Sequence, residues 1–309
     1  MEAWKVPIGS LGMDARFLII SPMRNEAAHV ERVARALAAQ TVPPAEWVVV
    51  DDGSTDDTAA RLQALAGELP FLRVHARETE QGPVVDRLKV AAAPRAFNYG
   101  LARAEIQDWT HVVKLDGDIE LPPDYFERIL EEYARDPELG MAAGNLIEPR
   151  GGRMVPMPIP RHHIHGALKC YTRECFDAIG GVQTRLGWDT IDETYARLRG
   201  YTTRNYDDII AIHHRPHASA DGKLRGHARH GECAYIAHFS PLWVALRSLK
   251  VARDRPFGIS GVAFFYGYVR SAVQRVERVP DPEFRRFARS ELRARMRRAV
   301  LGPLSGRTA

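Results

Sequence analysis

The sequence predicts an α/β fold, with a mostly parallel sheet flanked by helices and a C-terminal helical extension. Three observations carry that prediction. Short apolar runs at 17–20, 47–50 and 111–115 alternate with stretches of helical periodicity, joined by short loops. That order implies parallel strands with right-handed crossovers. Each run also stops abruptly on loop-forming residues: Ser21-Pro22, Asp51-Asp52-Gly53 and Asp116-Gly117-Asp118. Past Ser240 the character changes to helical, arginine-rich segments. The organisation read from this is a leader over 1–15, a domain over 16–239 and an extension over 240–309.

The elements follow in order. Residues 17–20 form a buried strand that stops at Ser21-Pro22. Asn25 stands where an N-cap belongs, ahead of Val30, Val33, Ala34 and Leu37 on one helical face. Pro43-Pro44 breaks that helix, and 47–50 is the second strand. After the acidic run 51–57, Ala59, Leu62 and Leu65 mark the inner side of a second helix. Residues 72–75 read as a third strand and 81–92 as a polar loop. Pro94 suits the first turn of a helix carrying Phe97, Leu101 and Ala104. Residues 111–115 form the fourth strand, and Glu120 to Asp124 opens a helix with Phe126, Ile129, Leu130 and Tyr133. Beyond Met141 the segments read as shorter and richer in Gly, Pro and His. The run 209–212 is a further strand, leading into His213-His214-Arg215-Pro216-His217.

Composition bounds the function. Over 309 residues, 45% are hydrophobic and 27% charged, which excludes a disordered or collagen-like chain. Three cysteines at irregular spacing suit neither a disulfide framework nor a zinc site, so reduced thiols in a cytoplasmic setting are expected. The N-terminal stretch lacks a basic run followed by an apolar core, and no segment reaches the ~18 apolar residues of a spanning helix. The net charge is +4. From Arg275 onward, ten arginines face four acids, a pattern that suits a solvated helix face. Nucleic-acid binding would rest on that tail alone, without an aromatic-basic motif, and is not expected.

Acidic residues gather at two strand ends, Asp51 and Asp52 at one and Asp116 and Asp118 at another. In an open parallel sheet, ligands bind in the crevice beyond the carboxyl ends of the strands. A third group, Asp189, Asp192 and Glu193, follows a glycine-rich stretch. Gathered carboxylates raise one another's pKa unless a cation or donor satisfies them. Asp116 and Asp118 flank a glycine, so both are able to turn toward one hard cation. Mg2+ or Mn2+ suits such a site, with substrate phosphates completing the shell. Plainer roles also fit these residues. Asp56 and Asp57 fall in the first turn of a helix, where acids complement the dipole. Asp52 suits loop capping, and Asp-Gly is a common turn pair.

The runs FLIISPMRNE, WVVVDDGSTDDT, RAFNYGLARA and VVKLDGDIELPPDYF, then GGVQTRLGWDTIDETYARLRGY and HHRPHASADG, resemble family 2 glycosyltransferases with the GT-A fold. The resemblance implies a Rossmann-like sheet. It also implies transfer of a sugar from a nucleoside-diphosphate-sugar donor to an acceptor hydroxyl, with inversion, in polysaccharide or glycoconjugate biosynthesis. By the same resemblance, Pro22, Arg24, Glu26, Asp51 and Asp52 bind the nucleotide base and ribose. Asp116 binds ribose and metal, and Asp118 is the metal ligand. The family's Glu-Asp pair supplies the catalytic base and aligns with Trp188-Asp189. Asp189 is therefore the candidate base and Asp192 the reserve, since Trp188 stands where glutamate is expected. In related enzymes a histidine after a strand such as 209–212 completes the metal site, which makes His213 and His214 candidates. Adjacent residues on an extended chain face opposite ways, so only one of them ligates. Arg95 and Lys89 are further candidates for the phosphates, and Arg215, Lys223 and Arg225 for a lid over them.

A metal-dependent inverting glycosyltransferase is the leading reading. A nucleotidyltransferase also uses an α/β sheet and a metal-bound diphosphate, but calls for a glycine-rich, lysine-containing loop after the first strand. Ser21-Pro22-Met23-Arg24-Asn25 is not such a loop. A catalytically silent nucleotide-sugar-binding scaffold would account for Trp188. The acceptor is open between a glycan, a lipid-linked sugar and a small molecule. The segment 241–273 interleaves aromatic and aliphatic residues with Arg247, Lys250, Arg253 and Arg255. It suits a helical cap packed on the catalytic domain, a homodimer contact, or an amphipathic platform peripheral to the inner face of a membrane.

Overall fold

A computed structural model describes residues 15–78, 86–88, 90–215, 223–254 and 256–301. The expected leader, residues 81–85 of the polar loop, Lys89, Pro216-His217 and Arg255 lie outside the described residues, apart from residue 15. The chain divides into two compact units, 1–217 and 218–309.

In the first unit, β1 (Phe17–Met23), β2 (Glu46–Asp51), β3 (Leu72–Ala76) and β4 (His111–Leu115) lie in the order β3-β2-β1-β4, all parallel. Strands covered on both faces read as continuous apolar runs, and all six residues of β2 are indeed buried. Trp47 donates its indole N–H to Ser21 Oγ at 2.9 Å, which satisfies the one hydroxyl inside β1. Beyond β4 the sheet becomes mixed. β8 (Leu168–Thr172) runs antiparallel to both β4 and β6 (Leu139–Arg150), and β9 (Thr202–His213) runs parallel to β6. The two-residue β5 (Ile119–Glu120) closes the edge against β9, while β7 (Arg153–Pro156) forms a hairpin with β6.

The two 12-residue strands β6 and β9 replace the short segments expected beyond Met141. Their register slips twice, so no period-2 pattern survives in the sequence. At Gly144 the Ile209 carbonyl comes so close that no side chain fits, which explains a glycine inside a strand.

Helix α1 (Val30–Ala38) buries the expected Val30, Val33, Ala34 and Leu37. Asn25 is not its N-cap. Asn25 adopts φ 56° and accepts the Thr55 N–H at 2.8 Å, tying the loop after β1 to the loop after β2. Helix α2 (Thr58–Glu68) buries Thr58, Leu62 and Leu65, with Ala59 exposed. Asp56 accepts the Thr58 N–H at 3.0 Å, as a residue near a helix start is expected to do. Helices α3 (Ala92–Leu101) and α4 (Tyr125–Arg135) follow, the latter burying Phe126, Ile129 and Leu130. α5 (Arg173–Ala178) is capped by Thr172, and α6 (Trp188–Leu198) starts at the third acidic group.

The second unit is helical: α7 (Lys223–Ile236), α8 (Pro241–Val251), α9 (Ile259–Val273) and α10 (Pro282–Leu301). Its core gathers Ala234, Tyr235, Val244, Val251, Phe264 and Tyr268. The expected boundary at 239/240 falls within this unit, between α7 and α8. Lys223 and Arg225 belong to α7 and not to a loop. The three cysteines are free thiols, and burial pushes Cys170 and Cys175 up to about 12.

Candidate functional site

The carboxyl ends of β1, β2 and β4 open on one cleft of about 230 Å³. Pro22, Arg24 and Glu26 line it from the loop after β1, Asp52 from the end of β2, and Asp116 and Asp118 from the loop after β4. The first turn of α3 faces the cleft through Ala92 and Ala93, bringing the positive end of a helix dipole. Arg215 closes the lining. Six of the residues expected to bind the nucleotide or metal therefore meet in one place, because parallel strands deliver their ends to the same edge.

Asp51 and Asp52 divide their work. Asp51 accepts the Ser54 N–H at 2.9 Å and shapes the turn. Asp52 is buried, and faces Arg77 Nε at 2.9 Å and also Arg87. Arg95 is turned away from the cleft: it is exposed and donates to the Val90 carbonyl at 2.9 Å. Arg87, and not Arg95, lines the cleft. The expectation failed because α3 starts at Ala92, so Arg95 falls on its outer face.

Asp116 pairs with Lys114, whose ammonium also donates to the Gly166 carbonyl at 2.6 Å. Asp118 is held from the other side. The Ile119–His213 register between β5 and β9 sets His213 beside it, with Nε2 3.5 Å from Asp118 Oδ2. Arg215 Nε lies 3.7 Å from the same oxygen. His214 points elsewhere, bonding Glu120 at 2.7 Å and stacking on His29 at 5.8 Å. The two histidines thus meet different carboxylates, His213 lying beside Asp118 and His214 beside Glu120.

The electrostatics follow from these neighbours. Burial alone would raise the Asp118 carboxyl, but His213 and Arg215 override it and hold the group below the usual carboxylate range. Burial lifts Asp116, with Lys114 pulling against it and Asp118 adding to it. Glu26 is lifted to about 7 by burial and by Asp118, in spite of Arg215, which bonds it at 2.5 Å.

Asp189 sits half-buried in the first turn of α6, its side chain next to Gly166. Lys169 fixes the start of that helix by donating to the Asp189 carbonyl at 2.5 Å. Asp192, the reserve base, is turned into the core. Lys169 binds both its oxygens, at 2.8 and 3.1 Å, and the Tyr171 hydroxyl donates to it at 2.5 Å. The two acids share one helix face at i and i+3, but Asp189 stands at the helix start while Asp192 lies a turn further along, against Lys169 and Tyr171. Glu193 joins the same cluster through Lys169 at 3.2 Å and His163 at 3.0 Å.

Sequence reasoning missed Lys114 and Lys169. They stand directly opposite each other on β4 and β8, both buried. The Trp188 ring lies 5.7 Å from one ammonium and 5.3 Å from the other. The available signal was a lysine inside each apolar run, in HVVKL and LKCYT.

Among the described residues, no group of three or more His, Cys, Asp or Glu side chains is placed to hold a metal ion. Asp116 and Asp118 both line the cleft and offer the oxygen ligands that a hard divalent cation takes.

The model of glycosyl transferase family 2 matches residues 18–174, and the chain belongs to that family. It is a glycosyltransferase with the GT-A fold. Undecaprenyl-phosphate mannosyltransferase from Micrococcus luteus is 28% identical over 192 residues, spanning 62% of this chain and 70% of the relative. Among solved structures, mannosyltransferase PcManGT from Pyrobaculum calidifontis, in complex with GDP-Man and Mn2+, superposes with a TM-score of 0.54 at 18% identity. That match covers 95% of this chain and 88% of the other. S. aureus TarS 1-349 in complex with UDP-GlcNAc gives 0.53 at 15% identity, over 90% and 83%.

Proposed function

We propose that the protein is a metal-dependent, inverting glycosyltransferase that moves a hexose from a nucleoside-diphosphate-sugar to an acceptor hydroxyl in glycoconjugate or polysaccharide biosynthesis. The observation that carries this reading is the meeting of Asp52, Asp116, Asp118 and Arg24 in one cleft at the strand ends. Mannosyltransferases occur among both the sequence relatives and the structural neighbours, which makes GDP-mannose the first donor to test. The Micrococcus relative acts on a polyprenyl phosphate by its name, so a lipid-linked acceptor on the cytoplasmic side of a membrane is the first acceptor to test.

The roles follow from the chemistry. A divalent cation, Mg2+ or Mn2+, would be held by Asp118 and Asp116 with His213 beside it, and would neutralise charge growing on the leaving diphosphate. Asp52, Glu26 and Arg24 bind the nucleoside, and Arg215 faces the diphosphate. Asp189 takes the acceptor proton as the acceptor oxygen attacks the anomeric carbon. The bond to the diphosphate breaks as the new bond forms, so a single displacement inverts the centre.

A thermal-shift panel with GDP, UDP, dTDP and CDP, with and without Mn2+, tests the reading. A ligand at 100 times its Kd adds about 2.7 kcal/mol of stability. One nucleotide should stabilise the protein with Mn2+ and lose that effect on adding EDTA. No shift with any nucleotide, in folded protein, would sink the assignment of the cleft. A shift without sugar transfer to any acceptor would point to a silent binding protein.

A further inference from the structure

Helix α9 is built inside out. Its inward side is formed largely by small residues, with Ser260, Gly261, Gly267 and Ser271 buried, while Phe264 and Tyr268 are its only large inward side chains. Ile259, Val262, Tyr266, Val269 and Val273 follow one another at helical spacing and all point to solvent. Val262 is 68% exposed and Val273 77%. Soluble helices show the reverse arrangement, with bulk inside and polar residues outside.

The cause lies in the packing. A methyl group on Gly267 would overlap the Ala228 carbonyl of α7, and one on Gly231 would overlap the Phe264 carbonyl of α9. The two backbones touch through glycines, and the small-residue interface leaves the large side chains of α9 on the outside. The buried hydroxyls of Ser260 and Ser271 bond back to the carbonyls of Pro256 and Gly267, so they need no partner across the interface. Helix α8 adds a second exposed row, Leu242, Leu246 and Leu249, with Leu249 at 69%. Phe257, in the link between the two helices, is 65% exposed as well.

Charge decides what this face meets. Residues 241–273 carry Arg247, Lys250, Arg253, Arg255 and Arg270 against the single acid Asp254. At 100° per residue, Lys250 flanks the leucine row of α8 and Arg270 flanks the apolar row of α9. A second copy of the chain laid on this face would oppose cation to cation, without enough acid to neutralise them. An anionic surface with an apolar layer beneath it matches both features. Helix α9 has 15 residues, about 22 Å of helix, too short for a hydrocarbon core of about 30 Å. The geometry fits a helix pair lying in the interface and not across it.

We propose that the α8–α9 face docks on an anionic phospholipid monolayer, with Leu249, Val262 and Val273 in the acyl boundary and Lys250 and Arg270 at the headgroups. The inference stands apart from the sugar-transfer reading, because it uses only residues of the helical unit.

Co-sedimentation of the full chain with phosphatidylglycerol–phosphatidylcholine vesicles tests it, with pure phosphatidylcholine alongside. The chain should pellet with the anionic vesicles at low salt, bind the neutral ones at least tenfold more weakly, and lose binding as salt rises. Leu249→Glu combined with Val262→Glu should abolish pelleting while the far-ultraviolet circular dichroism and the unfolding midpoint stay unchanged, since both positions are exposed. Failure of the folded wild-type chain to pellet would overturn the proposal, as would equal pelleting of the double variant. Analytical ultracentrifugation covers the rival occupant. A wild-type dimer that the double variant turns into a monomer would make the face a self-association surface and overturn the proposal.

Discussion

Asp189 and Asp192 have the same side chain and lie three positions apart, yet their surroundings give them different work. Asp189 is half-buried at the start of α6, and its carbonyl is held by Lys169. Asp192 is sealed beneath it by Lys169 and Tyr171. General-base assistance is worth about 10²–10⁴-fold, so Asp189→Asn should lower kcat by that factor. The same variant should keep the nucleotide-dependent thermal shift, because it leaves the cleft lining intact. Asp118→Asn should do the opposite first: the metal-dependent part of the shift should vanish. A steady-state assay run beside the thermal panel separates the two outcomes, and equal loss of both signals in both variants would contradict the division of roles. Much of this site was legible in the sequence because strand-end residues keep their position when a strand is read correctly. Arg95 was misplaced although Pro94 marked the first turn of α3 correctly, because the sequence does not say which side of that turn meets the cleft.

At the scale of elements, β4 and β8 bring two lysines face to face in the sheet. Like charges opposite each other destabilise a strand pair unless each is neutralised. Here Lys114 has Asp116, and Lys169 has Asp192 and Glu193. Removing one partner of a buried ion cluster costs about 3–5 kcal/mol, because the remaining charge stays buried and unpaired. Lys169→Met should therefore lower the urea midpoint sharply, and Lys169→Met with Asp192→Leu should recover part of the loss. A single variant as stable as the wild type would show that the cluster contributes nothing to folding. The sequence did not reveal this pair, since cross-strand neighbours are set by a register that no local pattern encodes. The bulges between β6 and β9 hid those strands for the same reason.

For the whole molecule, acid should weaken the fold through groups buried without charge. Burial takes the His111 imidazole from its ordinary 6.5 down to about 4. Between those values the unfolded chain holds a proton that the folded chain does not, so stability falls as pH drops from about 6.5 toward 4. His111→Phe should flatten part of that slope, read as the change in urea midpoint between pH 7 and pH 5. An unchanged slope would mean that other groups carry the whole effect. The division into a sheet unit and a helical unit was visible as a change of composition, but its place was not. Helix α7 has mixed polarity, and its Gly231 records a contact with α9 that lies outside its own stretch of sequence.

The inverted helix α9 has a consequence for how substitutions would be tolerated along it. In most helices the large hydrophobic positions resist change and the small ones accept it. Here Val262 and Val273 stand mostly in solvent, whereas Gly267 and Gly261 have a neighbouring carbonyl where a first methyl would go. A profile of the replacements that the fold accepts along 259–273 would therefore run opposite to hydropathy. Any scheme that infers burial from side-chain size would assign this helix the wrong way round.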